Sequence, residues 1–197
     1  IEQAQANNNR REAIRSYLMI GVLLINWPLA ETNHNENLVR AAQYIETAKA
    51  LAVQAKDALF TAYCYEELGK IKRLQGQYLK ANTLLDQALS SHNKVKANYS
   101  QTNTLIELAR VAAEQNNYPQ AQQYFQQAHV IANNNGVATN KVWIFLAQAD
   151  VAQSQGLVEQ SNLYAQQAMK LAKTANNQLL ISRVTAWLND HSHYEIN

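Results

Sequence analysis

The sequence predicts an all-α solenoid of about four helix hairpins closed by a terminal helix, and three observations predict it. The first is an internal period: blocks led by Ala41, Ala81 and Ala121 stand 40 residues apart, and Ser161 takes the same place one period later. A fixed self-similarity of roughly 20–50 residues marks a chain whose units bury their apolar faces by stacking on neighbours. The second is the pattern inside each block. In Ala41-Ala42-Gln43-Tyr44-Ile45-Glu46-Thr47-Ala48 the small residue, the large apolar residue four later and the alanine three beyond it share one helical face. Leu85 with Ala88, Phe125 with Ala128 and Ala165 with Ala168 repeat it. The third is the turn before each block, where Gly76, Asn116 and Gly156 supply residues suited to a left-handed helix end.

In chain order, residues 1–9 read as a polar lead-in and 10–197 as a single solenoid domain with units of about 10–57, 58–97, 98–137 and 138–177 and a terminal helix at 178–190. Helices are expected at 10–26, 37–56, 58–75, 78–92, 98–115, 118–134, 138–155, 158–175 and 178–190. The first helix of each hairpin carries its own small residue, Gly69, Ala109 or Ala149, again 40 apart. The opening hairpin breaks the period: Pro28 ends its first helix, and the stretch 26–37 forms a long loop. That loop is either functional or a cap in which Trp27 packs on the open end of the stack. Asn93 to Asn98, Asn133-Asn134-Asn135-Gly136 and Asn176-Asn177 mark the turns between later units. The last helix, with Leu179, Leu180, Ile181, Val184 and Leu188, is expected to cover the final hairpin. A first residue that is Ile1 rather than Met gives the expectation of a fragment or a mature form.

These residues resemble the tetratricopeptide repeat (TPR) family. Leu68-Gly69, Gly76, Tyr78, Ala81, Leu85 and Ala88 follow its pattern, as do Leu108-Ala109, Tyr118, Pro119, Ala121, Phe125 and Ala128. The period of 40 is longer than the family's usual ~34, so longer helices are expected; HEAT and armadillo repeats are the alternative. The resemblance implies a right-handed superhelix whose inner wall is lined by the first helix of each hairpin. It places Tyr63, Glu67, Lys70, Arg73, Asn103, Glu107, Arg110, Trp143, Asp150, Arg183 and Trp187 on a ligand- or peptide-binding groove. Trp143 and Trp187 are either aromatic anchors of that groove or fillers between helices. The first unit offers only Leu18, Met19, Val22 and Ile25 there, an interface candidate together with Trp27. Such a patch calls for a cover: the 26–37 loop, an upstream helix, a second copy or a ligand. The carboxylate clamp of the chaperone-binding branch is not reproduced, since Glu66, Lys70, Ile106 and Arg110 occupy its places. The long repeat looks more like peptide-sensing regulators of the Rap and PlcR type and MalT-like regulators, and Asn103 could bond a peptide backbone in the manner of the first group.

Composition narrows the function. A net charge of +2 with 16% charged residues, spread through all repeats, gives no basic stripe and argues against nucleic acid. The apolar run Tyr17 to Ile25 is shorter than the ~20 residues of a membrane span. Cys64, the single cysteine, reads as a small buried hydrophobe and leaves the compartment open, cytoplasmic favoured over periplasmic. No phosphate loop, zinc-spaced cluster or nucleophile motif is present, and Glu66 is expected to pair with Lys70 on the surface. His191 and His193 with Glu195 are weak as metal ligands, so neither metal nor cofactor is expected. The resulting expectation is a non-enzymatic protein- or peptide-binding module of a larger bacterial regulatory or signalling protein. A self-associating scaffold, hence a homodimer, or a small-molecule sensor are the alternatives.

Overall fold

The structure, a computed structural model, describes residues 2–26, 34–134 and 138–191. Trp27, Pro28, Asn135, Gly136, His193 and Glu195 lie outside them. All regular structure among the described residues is helical, in nine helices: α1 Glu2–Asn26, α2 His34–Gln54, α3 Ala58–Leu74, α4 Tyr78–Lys94, α5 Asn98–Glu114, α6 Tyr118–Asn134, α7 Ala138–Ser154, α8 Val158–Thr174 and α9 Gln178–His191. The expected lead-in is helical instead: α1 starts at Glu2, because the Glu, Ala, Gln and Arg that interleave the asparagines are strong helix formers. α2 likewise begins earlier than expected, at His34.

The period of 40 resolves into two equal halves of 20. From α3 to α8 every helix has 17 residues, and successive helices begin 20 residues apart, at Ala58, Tyr78, Asn98, Tyr118, Ala138 and Val158. The turns share one geometry. Lys56, Gly76, Lys96, Asn116, Gly156 and Asn176 have φ of +49° to +72°, the left-handed residue that ends a helix. Each donates its N–H three residues back, and the next residue donates five back, as in Gly76 to the Arg73 carbonyl (2.8 Å) and Gln77 to that of Lys72 (2.8 Å). That next residue also starts the following helix. The carboxylate of Asp57 and the side-chain oxygens of Asn117 and Asn177 accept from the N–H groups of Phe60, Gln120 and Leu180. Three residues thus satisfy the end of one helix and the start of the next.

The chain divides into two compact units, Ile1–Ser100 and Gln101–Asn197. In the first, hairpins α1–α2 and α3–α4 pack through Ile14, Leu38, Ile45, Leu68 and Ile71, with Ala41, Ala48 and Ala52 fully buried among them. Burial of each large side chain stabilises by roughly 1.5–3 kcal/mol. The small residues permit the approach. A Cβ on Gly69 would lie 2.7 Å from Leu85 Cγ, and one on Gly21 would run into Ile45.

In the second unit, α7, α8 and α9 close around Val142, Leu146, Ala168, Ala172, Leu180 and Val184. The volumes at the matching positions are redistributed: Ala149 stands in the place of Gly69 and Ala165 in that of Leu85. Ser161, in the alanine place, donates its hydroxyl to the Ala149 carbonyl at 2.9 Å, so its buried oxygen is satisfied. α9 presents Ser182, Thr185 and Asn189 to solvent. Val142, Phe145 and Ala149, one period earlier, face the protein interior, so the matching face of α9 is exposed and carries these polar residues beside the exposed Leu179.

Candidate functional site

The charged residues singled out in the second unit converge on Arg110. Its guanidinium donates from Nη1 to Glu107 Oε1 (2.8 Å) and from Nη2 to Asp150 Oδ2 (3.0 Å). Asp150 uses its other oxygen as well, accepting from Trp187 Nε1 at 2.6 Å. His191 stacks on one face of the indole, with centroids 4.2 Å apart and planes 13° off parallel, and its Nδ1 lies 2.8 Å from the Trp187 carbonyl. Helices α5, α7 and α9, the leading helices of successive repeats, are therefore linked side chain to side chain. Burial opposes the charge on Arg110, but the charges and hydrogen bonds of Glu107 and Asp150 outweigh it and raise the pKa above the ordinary arginine value. With one guanidinium against two carboxylates the cluster carries an excess of one negative charge, and the Asp150 side chain is 41% exposed.

The link follows from the repeat. Arg110 and Asp150 occupy one position in successive repeats, 40 residues apart, so opposite charges there meet across the stack. Lys70 holds the same position one repeat earlier and donates instead to Asn26 Oδ1 at 3.2 Å.

The other candidates are dispersed. Tyr63 is half-buried; its ring packs on Phe60 and His92 and its hydroxyl accepts from Ser100 Oγ at 3.2 Å. Glu67 and Asn103 are half-buried, and Arg183 is exposed. Three expectations are corrected. Arg73 is buried rather than presented to a ligand, and Ile25, 6% exposed, belongs to the core, since each follows a groove position (Lys70, Val22) by three residues and so lies about 60° round the helix from it, on the side turned to the core. Glu66 does not pair with Lys70 on the surface: it is buried, and its Oε2 lies 3.0 Å from His92 Nε2. Trp143 is half-buried against the α7–α8–α9 core, and Trp187 touches that core while keeping its N–H on Asp150. Of the first-unit patch, Leu18 leans on the core and Val22 is half-buried, but Met19 is 53% exposed. Ile20 and Leu23, not among the expected patch, are exposed beside it. His92 was not among the candidates and His191 was weighed only as a weak metal ligand; the sequence signal for the contacts they make is their register against Glu66 and Trp187.

Cys64 is fully buried, and desolvation pushes its thiol up to about 12 despite Lys49 nearby. No group of three or more metal-ligating side chains occurs among the described residues, and no helix among them is long and apolar enough to cross a membrane.

This arrangement is that of a helical-repeat solenoid with a polar cluster on its leading helices. The chain is similar in structure to aspartyl phosphate phosphatase F from Bacillus subtilis, with a TM-score of 0.67 at 14% identity over 89% of this chain and 44% of that one. The likeness supports a TPR-like helical-repeat fold. The chain spans less than half the length of that protein. No family model and no curated protein sequence matches it.

Proposed function

We propose that the chain is a non-enzymatic, protein- or peptide-binding module of the long-repeat TPR type, the sensing or interaction part of a larger bacterial signalling or regulatory protein. The observation that carries this reading is the Glu107–Arg110–Asp150–Trp187 cluster. It offers a rigid, half-exposed indole and carboxylate with an excess negative charge, suited to a segment bearing Lys or Arg beside an apolar residue. The likeness to a bacterial aspartyl phosphate phosphatase is consistent with a signalling setting, and that protein's named activity is not carried over. Action by binding also fits Cys64, whose buried, strongly protonated thiol is no nucleophile.

Selection of peptides from a random library on the chain, followed by titration of the selected peptides against Asp150→Ala, Arg110→Ala and Trp187→Ala, tests the reading. Weakening of at least tenfold with helix content unchanged supports it. Equal binding by all three variants assigns the partner to another face.

A second reading, self-association, is favoured by Met19, Ile20 and Leu23 on α1, at 53%, 40% and 52% exposure. Residues 48 positions on from Ile20 and Leu23, namely Leu68 and Ile71, are sealed inside the first unit, whereas no described residue seals the same face of α1. Light scattering separates the readings: a monomer at high concentration rules out the scaffold.

A further inference from the structure

In the second unit a cavity of about 200 Å³ opens between α6, α7 and α8, its wall including Tyr118, Phe125, Gln148, Gln155, Leu157 and Tyr164. No charged side chain is among its lining residues. Gln148 is the departure that marks it. The same position one and two repeats earlier holds Leu108 and Leu68, both buried core residues, whereas Gln148 is a carboxamide left only 6% exposed. An amide set where the repeat uses leucine is costly to bury unless its hydrogen bonds are made. One end of the carboxamide is engaged: Oε1 lies 3.0 Å from His129 Nε2. The His129 ring is held in turn by Phe145 at 5.0 Å, and Phe145 stacks on Tyr164 at 6.3 Å. The other end of the carboxamide remains for whatever enters the cavity that Gln148 lines.

Of the other polar groups in the lining, the two tyrosine hydroxyls are occupied locally, while Gln122 is exposed and Gln155 half-buried. Tyr118 donates to Asn116 Oδ1 at 3.0 Å, and the Tyr164 hydroxyl accepts from Gln160 at 3.2 Å. The cavity therefore presents aromatic and aliphatic surface with one deeply buried amide, Gln148, and the carboxamides of Gln122, Gln155 and Gln160 nearer the solvent.

We propose that this cavity is a binding site for a small neutral group that joins a planar apolar body to a carbonyl or carboxamide. Its volume is below the roughly 300–1,000 Å³ of drug-sized sites, so it takes one ring-sized group. The absence of charge from the lining disfavours carboxylates and ammonium groups, which would be desolvated without a counter-ion. The site is independent of the peptide-binding reading, because its walls come from α6, α7 and α8 and include no member of the Arg110 cluster.

Benzamide probes a free small molecule, and N-acetyl-tyrosinamide probes the same chemistry carried on a peptide. Each is titrated by NMR, following the side-chain amide resonances of glutamine, with a thermal-shift measurement in parallel. The expected result is saturable millimolar or tighter binding of at least one probe, with the Gln148 amide shifted. Gln148→Leu, which restores the residue of the other repeats, should abolish that binding. Gln148→Met keeps the side chain's length without its amide and should weaken it at least tenfold. Trp187→Ala should leave it unchanged. Which probe binds identifies the source of the ligand. Failure of both probes to bind, or binding unaltered in both Gln148 variants, overturns the proposal and leaves a cavity that holds water only.

Discussion

Lys56 and Lys96 hold the left-handed φ that glycine supplies at 76 and 156 and asparagine at 116 and 176. For an L-residue with a Cβ this conformation costs roughly 1–2 kcal/mol. Lys96→Gly should therefore raise unfolding stability by about 0.5–1 kcal/mol, and Gly76→Ala should lower it by about 1 kcal/mol although nothing lies near the added methyl. Urea denaturation of the two variants checks both signs. Cys64 gives a second expectation at this scale. Its thiol pKa rises on folding from 9.0 to about 12, so the folded state keeps a proton that the unfolded chain releases. Its contribution to stability is fully present below about pH 9 and is lost as pH climbs from 9 towards 12. At pH 8 the native thiol should resist a thiol reagent and react at the rate of global or local opening; prompt stoichiometric labelling of the folded chain would contradict its burial.

At the scale of elements, the close approach of α3 to α4 is set by one pair. A methyl on Gly69 meets Leu85 Cγ at 2.7 Å, so Gly69→Ala should destabilise by about 1–3 kcal/mol through overpacking. The α7–α8 hairpin accepts Ala149 at that position alongside Ala165. In a Leu85→Ala background the penalty of Gly69→Ala should accordingly shrink, and a double-mutant cycle by chemical denaturation measures the coupling. An additive cycle would show that the two positions do not share space. These hairpins were legible from the chain because Gly, Ala and a large apolar residue recur in phase. The half-period of 20 was not, since Lys56 and Lys96 disguise turns that Gly76 and Gly156 announce. Neither was the helical start of α1, where asparagines masked good helix formers.

For the whole molecule, the two terminal helices differ. α9 shows solvent Ser182, Thr185 and Asn189 with one large apolar side chain, Leu179, whereas α1 shows it the adjoining Met19, Ile20 and Leu23. Met19→Lys with Leu23→Lys should change thermal stability little, because both side chains are already half exposed or more. It should lower any concentration-dependent association seen by light scattering or sedimentation. A large loss of melting temperature would mean that this face is buried in the state that unfolds.

What the sequence alone determined was everything periodic: the all-α class, the 40-residue unit, the buried small residues at Ala41, Ala81 and Ala121, and the turns at Gly76, Asn116 and Gly156. A repeated local pattern specifies a repeated local structure because each helix meets the same neighbours in the same register. The tertiary structure decided which of the non-periodic side chains meet. Whether Asp150 answers Arg110, whether Trp187 reaches Asp150, and whether Glu66 turns inward to His92 depend on distances between helices that no spacing along the chain encodes. The same is true of Gln148: its break from leucine can be read in the sequence, but the cavity beside it exists only where α6, α7 and α8 pack together.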